Sequence, residues 1–170
     1  MSIISNTTVI SNFASIERLE LLHVLFDKLY ITSEVFDEIQ AGLLQGYTFY
    51  DNLSSLIYPF SDKGWLYLTA LNTSLELQTF GNLLSKLNSG EASSLSVALH
   101  RKWLFFSDDK AARNTAKKLG VKISGTLGVM LSLVKRDYIS MDEANFLLQE
   151  MVQGGYYSPV TSLDEILNNG

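Results

Sequence analysis

Trp103-Leu104-Phe105-Phe106-Ser107-Asp108-Asp109-Lys110-Ala111-Ala112-Arg113 is the stretch that decides the fold. An unbroken apolar run reads as a strand buried on both faces, and the acids that follow stand where a helix begins. Polar groups just past the carboxyl end of a buried strand are where open α/β sheets keep their binding and chemical groups. Gly90-Glu91-Ala92 puts another carboxylate at a helix start, and Glu38 lies upstream inside a helix. Together these acids supply the hard oxygen ligands that Mg²⁺ or Mn²⁺ requires.

Working outward, Ile3-Ile4-Ser5, Leu29-Tyr30-Ile31, Trp65-Leu66-Tyr67-Leu68 and Val121-Lys122-Ile123 predict further strands. Val9 to Phe13 begins a helix that breaks and resumes through Leu19, Leu21, Leu22 and Leu25. Thr32 or Ser33 caps a helix with Val35, Ile39 and Gly42 on one face, and Glu38 falls in that stripe. Helices are expected at about 74–88, 90–101 and 108–119, the last ended by Gly120. Gly125-Thr126-Leu127-Gly128 opens another, and Met141, Ala144, Leu147, Leu148 and Met151 space out a long final one. Residues 45–62 form the least regular stretch. Strands alternating with helices predict an α/β fold, a three-layer α/β/α sandwich around a mostly parallel sheet. The reading is a single domain over 1–170, with a core of about 3–139 and a helical extension of about 140–170.

Composition narrows the chemistry. The 170 residues are 46% apolar, enough for a sizeable core, and they contain no cysteine. Disulfides, thiolate zinc sites and cysteine nucleophiles are excluded. His23 and His100 are the two histidines, too few for a multi-histidine site, and neither has ligand spacing. His23 among leucines reads as packed, His100 as a cap or surface group, and Trp65 and Trp103 as core. No signal segment or spanning run is evident, so a soluble, cytoplasmic protein with no membrane partner is expected.

The net charge of −5 hides an asymmetry. Residues 101–136 hold nine of the thirteen Lys and Arg but only two of the eighteen acids, Asp108 and Asp109. One reading is a helix solvated by lysines; the other is a basic surface beside an acidic pocket, suited to a polyanion.

Each acid also has a plain structural role open to it. Ser107 or Asp108 suits the cap of the helix that follows, and Asp109 and Glu91 suit the first turns of their helices. Glu38, well inside a helix and on its apolar stripe, must face solvent, a cation or a metal unless the helix phase is shifted. Asn6 suits either a turn or a neutral oxygen ligand. Thr7 and Thr8 suit either ligand binding or a helix start. Arg113 stands four residues after Asp109, the spacing of a helix-surface ion pair, or else contacts phosphate. Lys110, Arg113 and Lys117 share a face that can follow a nucleic-acid backbone.

In this order, Ile3-Ile4-Ser5-Asn6-Thr7-Thr8-Val9-Ile10, Val35-Phe36-Asp37-Glu38, Gly90-Glu91-Ala92 and Ser107-Asp108-Asp109 resemble a PIN domain, the nuclease fold of many toxin–antitoxin toxins. The resemblance spans roughly 3–139 and is strongest to the subgroup with Gly125-Thr126-Leu127-Gly128 after the acidic pair. It implies a divalent-metal endoribonuclease that leaves a 5′-phosphate, with an RNA substrate and a small antitoxin partner. It matches Glu38, Glu91 and Asp109 to the family's acids, with Asp108 a neighbouring candidate. Asn6 stands where most PIN domains carry their first aspartate, and an amide there removes one negative ligand. A catalytically degenerate RNA- or protein-binding module is therefore the competing reading. A haloacid-dehalogenase or receiver type fits less well, because Asn6 cannot be a nucleophile and the acid pair comes late in the chain. Broad leucine faces suit a homo-oligomer as well as a monomer core.

Overall fold

The structure, a computed structural model, describes residues 1–169. Its centre is a six-stranded sheet in the order β3-β4-β2-β1-β5-β6, in which every pairing is parallel. The strands are β1 (Ile3–Ser5), β2 (Leu29–Thr32), β3 (Ile57–Tyr58), β4 (Leu66–Thr69), β5 (Leu104–Phe106) and β6 (Ile123–Ser124). Short strands with both faces covered need apolar residues on both sides, which is why Ile4, Ile31 and Phe105 are fully buried.

Helices α1 (Thr7–Ser15), α2 (Glu20–Leu25), α3 (Ser33–Leu44), α4 (Ser74–Leu83), α5 (Ser89–Arg101), α6 (Lys110–Lys118), α7 (Thr126–Lys135), α8 (Met141–Gln153) and α9 (Asp164–Asn168) make the outer layers. One apolar cluster joins Phe13, Ile39, Met130 and Leu147, from α1, α3, α7 and α8. A second joins Leu83, Leu95 and Ala116, from α4, α5 and α6. The two clusters lie on opposite faces of the sheet, so the arrangement is the expected three-layer sandwich. The α8 face Ala144, Leu147, Leu148 and Met151 is buried in the first of them.

The expected break between α1 and α2 is real. Glu17 adopts a positive φ of 56°, and the Arg18 amide bonds back to the Phe13 carbonyl at 2.9 Å. Gly120 (φ 72°) ends α6 as expected, its left-handed backbone letting the Val121 amide return to Ala116.

Several boundaries differ from expectation. Residues 45–62 are less irregular than their composition suggests, since two 3₁₀ turns lead into β3, a two-residue strand on the sheet edge. The α4 helix stops at Leu83, because Leu87 turns inward to the core and Asn88 is needed as the cap of α5. His23 is exposed and stacks on Trp65 with ring centroids 5.0 Å apart, while Trp103 is only half-buried, under the Arg101 guanidinium.

Topology places the site. The chain leaves β1 toward β2 on one side, and later returns to lay β5 against β1 on the other. Register pairs Ser5 with Phe106, so Asn6 and Ser107 emerge side by side. This is the switch point at which a doubly wound sheet opens a crevice beyond its carboxyl ends.

Candidate functional site

Asn6 is buried at that crevice with both ends of its amide engaged. Its Oδ1 accepts from the Thr8 amide (3.2 Å) and the Thr8 hydroxyl (2.8 Å), which caps α1, and its Nδ2 donates to Ser107 Oγ (2.7 Å). The Thr8 hydroxyl in turn accepts from the Asp108 amide at 2.9 Å, and Ser107 Oγ accepts from the Asp109 amide at 3.2 Å. The residue thus ties the end of β1 to the end of β5 through a donor that a carboxylate lacks.

Glu38 reaches the same crevice from α3. Its Oε1 accepts from the Gly90 amide at 2.9 Å and its Oε2 from the Thr7 hydroxyl. A glycine is needed at 90 because a Cβ there would lie 2.5 to 2.7 Å from the three atoms of the Glu38 carboxylate. Glu91 follows as the third residue of α5, in a capping box with Asn88: the Glu91 amide donates to Asn88 Oδ1 (2.8 Å) and the Asn88 amide to Glu91 Oε2 (3.2 Å). Asp109, not Ser107 or Asp108, is the cap of α6, with Oδ1 accepting from the Ala112 amide at 2.8 Å. The helix begins at Lys110, two residues after the expected start near 108, and Ser107 is consumed by Asn6.

Glu91 feels the charges of the other two acids. Burial holds the Glu91 carboxyl above its usual value, and the nearby charges of Asp109 and then Glu38 push the same way. None of Glu38, Glu91 and Asp109 is paired with a Lys or Arg among the described residues. Each is fixed by backbone or hydroxyl donors, which orient a carboxylate without neutralising it. No three acidic or imidazole side chains among the described residues stand close enough to grip one ion directly.

Asp108 faces elsewhere. Its Oδ1 accepts from the Thr126 amide (2.9 Å), and its Oδ2 from the Thr126 hydroxyl (2.5 Å) and Asn12 Nδ2 (3.0 Å). It pins α1 to the start of α7. Burial raises its pKa, against the lowering effect of the Thr126 bonds. Burial, then the Asp108 charge, likewise hold the Tyr156 phenol in its protonated form.

The basic residues divide. Arg113 forms no ion pair with Asp109; it turns back to the Ser107 carbonyl at 2.8 Å. Arg101 is locked inward on Glu76, itself 1% exposed, at 2.7 Å, so it is not part of a basic surface. Lys110 and Lys117 are exposed on α6.

Sequence reasoning missed Asn12 and Thr126, which hold Asp108, and Asn88, whose capping-box spacing to Glu91 was there to be read. Thr7, read as either a ligand contact or a helix start, donates its hydroxyl to Glu38.

A family model described as a PIN domain matches residues 2–169. Comparison with curated proteins finds no match. Among solved structures, a complex described as VapBC2 from Rickettsia felis, bound to a DNA fragment from their promoter, is similar with a TM-score of 0.50 at 14% identity, over 74% of this chain and 98% of that one. A PilT N-terminus domain protein from Sulfolobus solfataricus P2 gives a TM-score of 0.47 at 17% identity, over 78% and 92%. At such identities the likeness is one of fold.

Proposed function

The chain belongs to the PIN-domain family, and from that premise we propose that it is a divalent-metal-dependent endoribonuclease acting in the cytoplasm as the toxin of a toxin–antitoxin pair. The observation that carries the reading is the approach of Asp109 and Glu38 to Glu91, whose pKa is raised by burial and then by their charges, with no base paired to any of the three among the described residues. Uncompensated, partly buried carboxylates are expensive, and a cation removes that cost. Hard oxygen donors select Mg²⁺ or Mn²⁺. Mg²⁺ keeps several waters and takes one or two carboxylates, which suits acids that lie near each other without closing round an ion. When bound, such an ion supplies neutralisation of the phosphodiester and a more acidic water.

The chain's own groups do the positioning. Thr7 and the Gly90 amide aim Glu38, the α5 capping box holds Glu91, and the Ala112 amide leaves Asp109 Oδ2 free. Lys110 and Lys117, exposed on the helix that Asp109 caps, bind the RNA backbone. The antitoxin partner rests on the resemblance to toxin–antitoxin PIN domains, and the VapBC2 complex is a neighbour in fold only.

Asn6 favours a second reading, a degenerate module that binds RNA or protein without cutting. Its amide oxygen is taken twice by Thr8, so it is not free to serve a metal as it stands. Cleavage of single-stranded RNA with Mn²⁺ tests both. Activity in the wild type, lost in Glu38→Gln and Asp109→Asn, supports the nuclease. An inert wild type, switched on by Asn6→Asp, supports degeneracy.

A further inference from the structure

Around Asp108, reaching from Asp109 away from Glu38 and Glu91, two cavities adjoin. One of about 230 Å³ is lined by Thr8, Asn12 and Asp109; the other, of about 300 Å³, by Arg113, Ser124, Leu127 and Leu131. They share Asp108, Tyr156 and Tyr157, so a track runs from the site acid Asp109, under the segment that follows α8, to the turn from β6 into α7. Tyr157 stands at its rim with 93% of its surface in solvent. Its ring packs no core.

The second cavity has the character of a ligand pocket: an apolar wall of Leu127, Leu131 and Ile166 with a few convergent polar groups. Asp108 is not one of the available groups, since both oxygens are already bonded to Thr126 and Asn12. Arg113 is available. One guanidinium nitrogen is bonded to the Ser107 carbonyl and no carboxylate pairs with the group among the described residues. Gly125 is small because Asp108 packs against it: a Cβ there would lie 2.4 Å from Asp108 Oδ1, then 3.0 Å from the Ser107 carbonyl and 3.1 Å from Arg113 Nη1. Its φ of −159° is ordinary extended backbone, so space and not conformation is what the glycine supplies.

We propose that this track is a nucleotide subsite, in which an unpaired nucleotide flanking the cleaved bond stacks on Tyr157 and meets Arg113 with its phosphate or base edge. The proposal rests on the ribonuclease reading above. An exposed aromatic ring lining the same cavity as a guanidinium that makes no ion pair among the described residues is the arrangement that holds single-stranded RNA without pairing it. A cavity of about 300 Å³ is at the small end of ligand pockets, the scale of one unpaired nucleotide rather than a duplex.

Binding of a short unstructured RNA to the full chain in EDTA, followed by fluorescence anisotropy, tests it beside Mn²⁺-dependent cleavage of the same RNA. Tyr157→Ala weakens binding about ten-fold, the loss of one stacked base, and raises KM correspondingly, while Tyr157→Phe stays near wild type. The unfolding temperature does not move, because the ring is exposed. RNA carrying 5-iodouridine cross-links to Tyr157 or Tyr156. Tyr157→Ala binding within two-fold of wild type, or cross-links only elsewhere, overturns the subsite and leaves the nuclease standing if cleavage persists. A wild type that neither binds nor cuts RNA overturns both.

Discussion

Gly90→Ala separates the fold from the site. Gly90 is the second residue of α5, where alanine gains about 0.5–1 kcal/mol over glycine. Against that gain, the new Cβ would lie 2.5 Å from Glu38 Oε2 and 2.6 Å from Oε1. Real Cβ atoms do not approach so closely, and the carboxylate is the far end of a flexible side chain, so Glu38 swings aside. It forfeits the 2.9 Å bond from the Gly90 amide and its bond from Thr7. A hydrogen bond to a charged group is worth about 1.5–3 kcal/mol, so losing two against that gain leaves a net loss of about 2–5 kcal/mol. For a chain of this size that lowers Tm by about 4–20 °C. The fold survives, but one of the three carboxylates no longer points into the crevice, and Mn²⁺ affinity falls at least ten-fold. Calorimetric Mn²⁺ titration beside thermal unfolding in EDTA reads both. Wild-type Mn²⁺ affinity in Gly90→Ala would refute the reasoning, since it would mean that Glu38 is not part of the ion's surroundings.

Arg101→Met strands the buried Glu76 and destabilises the protein by about 3–5 kcal/mol, or about 6–20 °C in Tm. In the wild type, the Arg101 hydrogen bond depresses the Glu76 carboxyl. The stability it gives is therefore present above the ordinary carboxylate value and lost as pH falls through the lower folded one. Denaturant titrations from pH 7 to pH 3 should show that acid-side loss in the wild type and not in the variant. Glu91 has the opposite sign: its folded value is raised by burial and by Asp109, so its ionisation works against the fold as pH climbs from about 4. Glu91→Gln keeps the capping box. In EDTA near neutral pH it should melt above the wild type, with the difference vanishing in acid; an unchanged or lower melting temperature would count against the repulsion.

The layers of this fold were legible because they rest on periodicity and on strand-to-helix punctuation. Phe105 and Phe106 next to Ser107-Asp108-Asp109 could hardly be anything but a buried strand running into a helix start. The short edge strand β3 was not legible, since Ile57-Tyr58 gains strand character only by pairing with Leu66 and Tyr67. At the site, the resemblance to a PIN domain matched Glu38, Glu91 and Asp109, but the sequence could not assign roles within Ser107-Asp108-Asp109. That depends on which side of β5 each side chain leaves, and on partners about a hundred residues away, Asn6 for Ser107 and Asn12 for Asp108. Arg101 and Arg113 counted equally as surface charge in the sequence. One is bound to a buried glutamate and the other to a main-chain carbonyl, and only tertiary contacts distinguish them.

Asp109→Asn tests the central claim most directly, because asparagine caps a helix as well as aspartate does and the variant should fold unchanged. Mn²⁺-dependent cleavage of a labelled single-stranded RNA should be readily measured for the wild type, abolished by EDTA, and lowered at least a hundred-fold in Asp109→Asn at an unaltered Tm. Cleavage that persists in the variant, or that is indifferent to EDTA, would contradict the assignment of the three carboxylates as the seat of the chemistry.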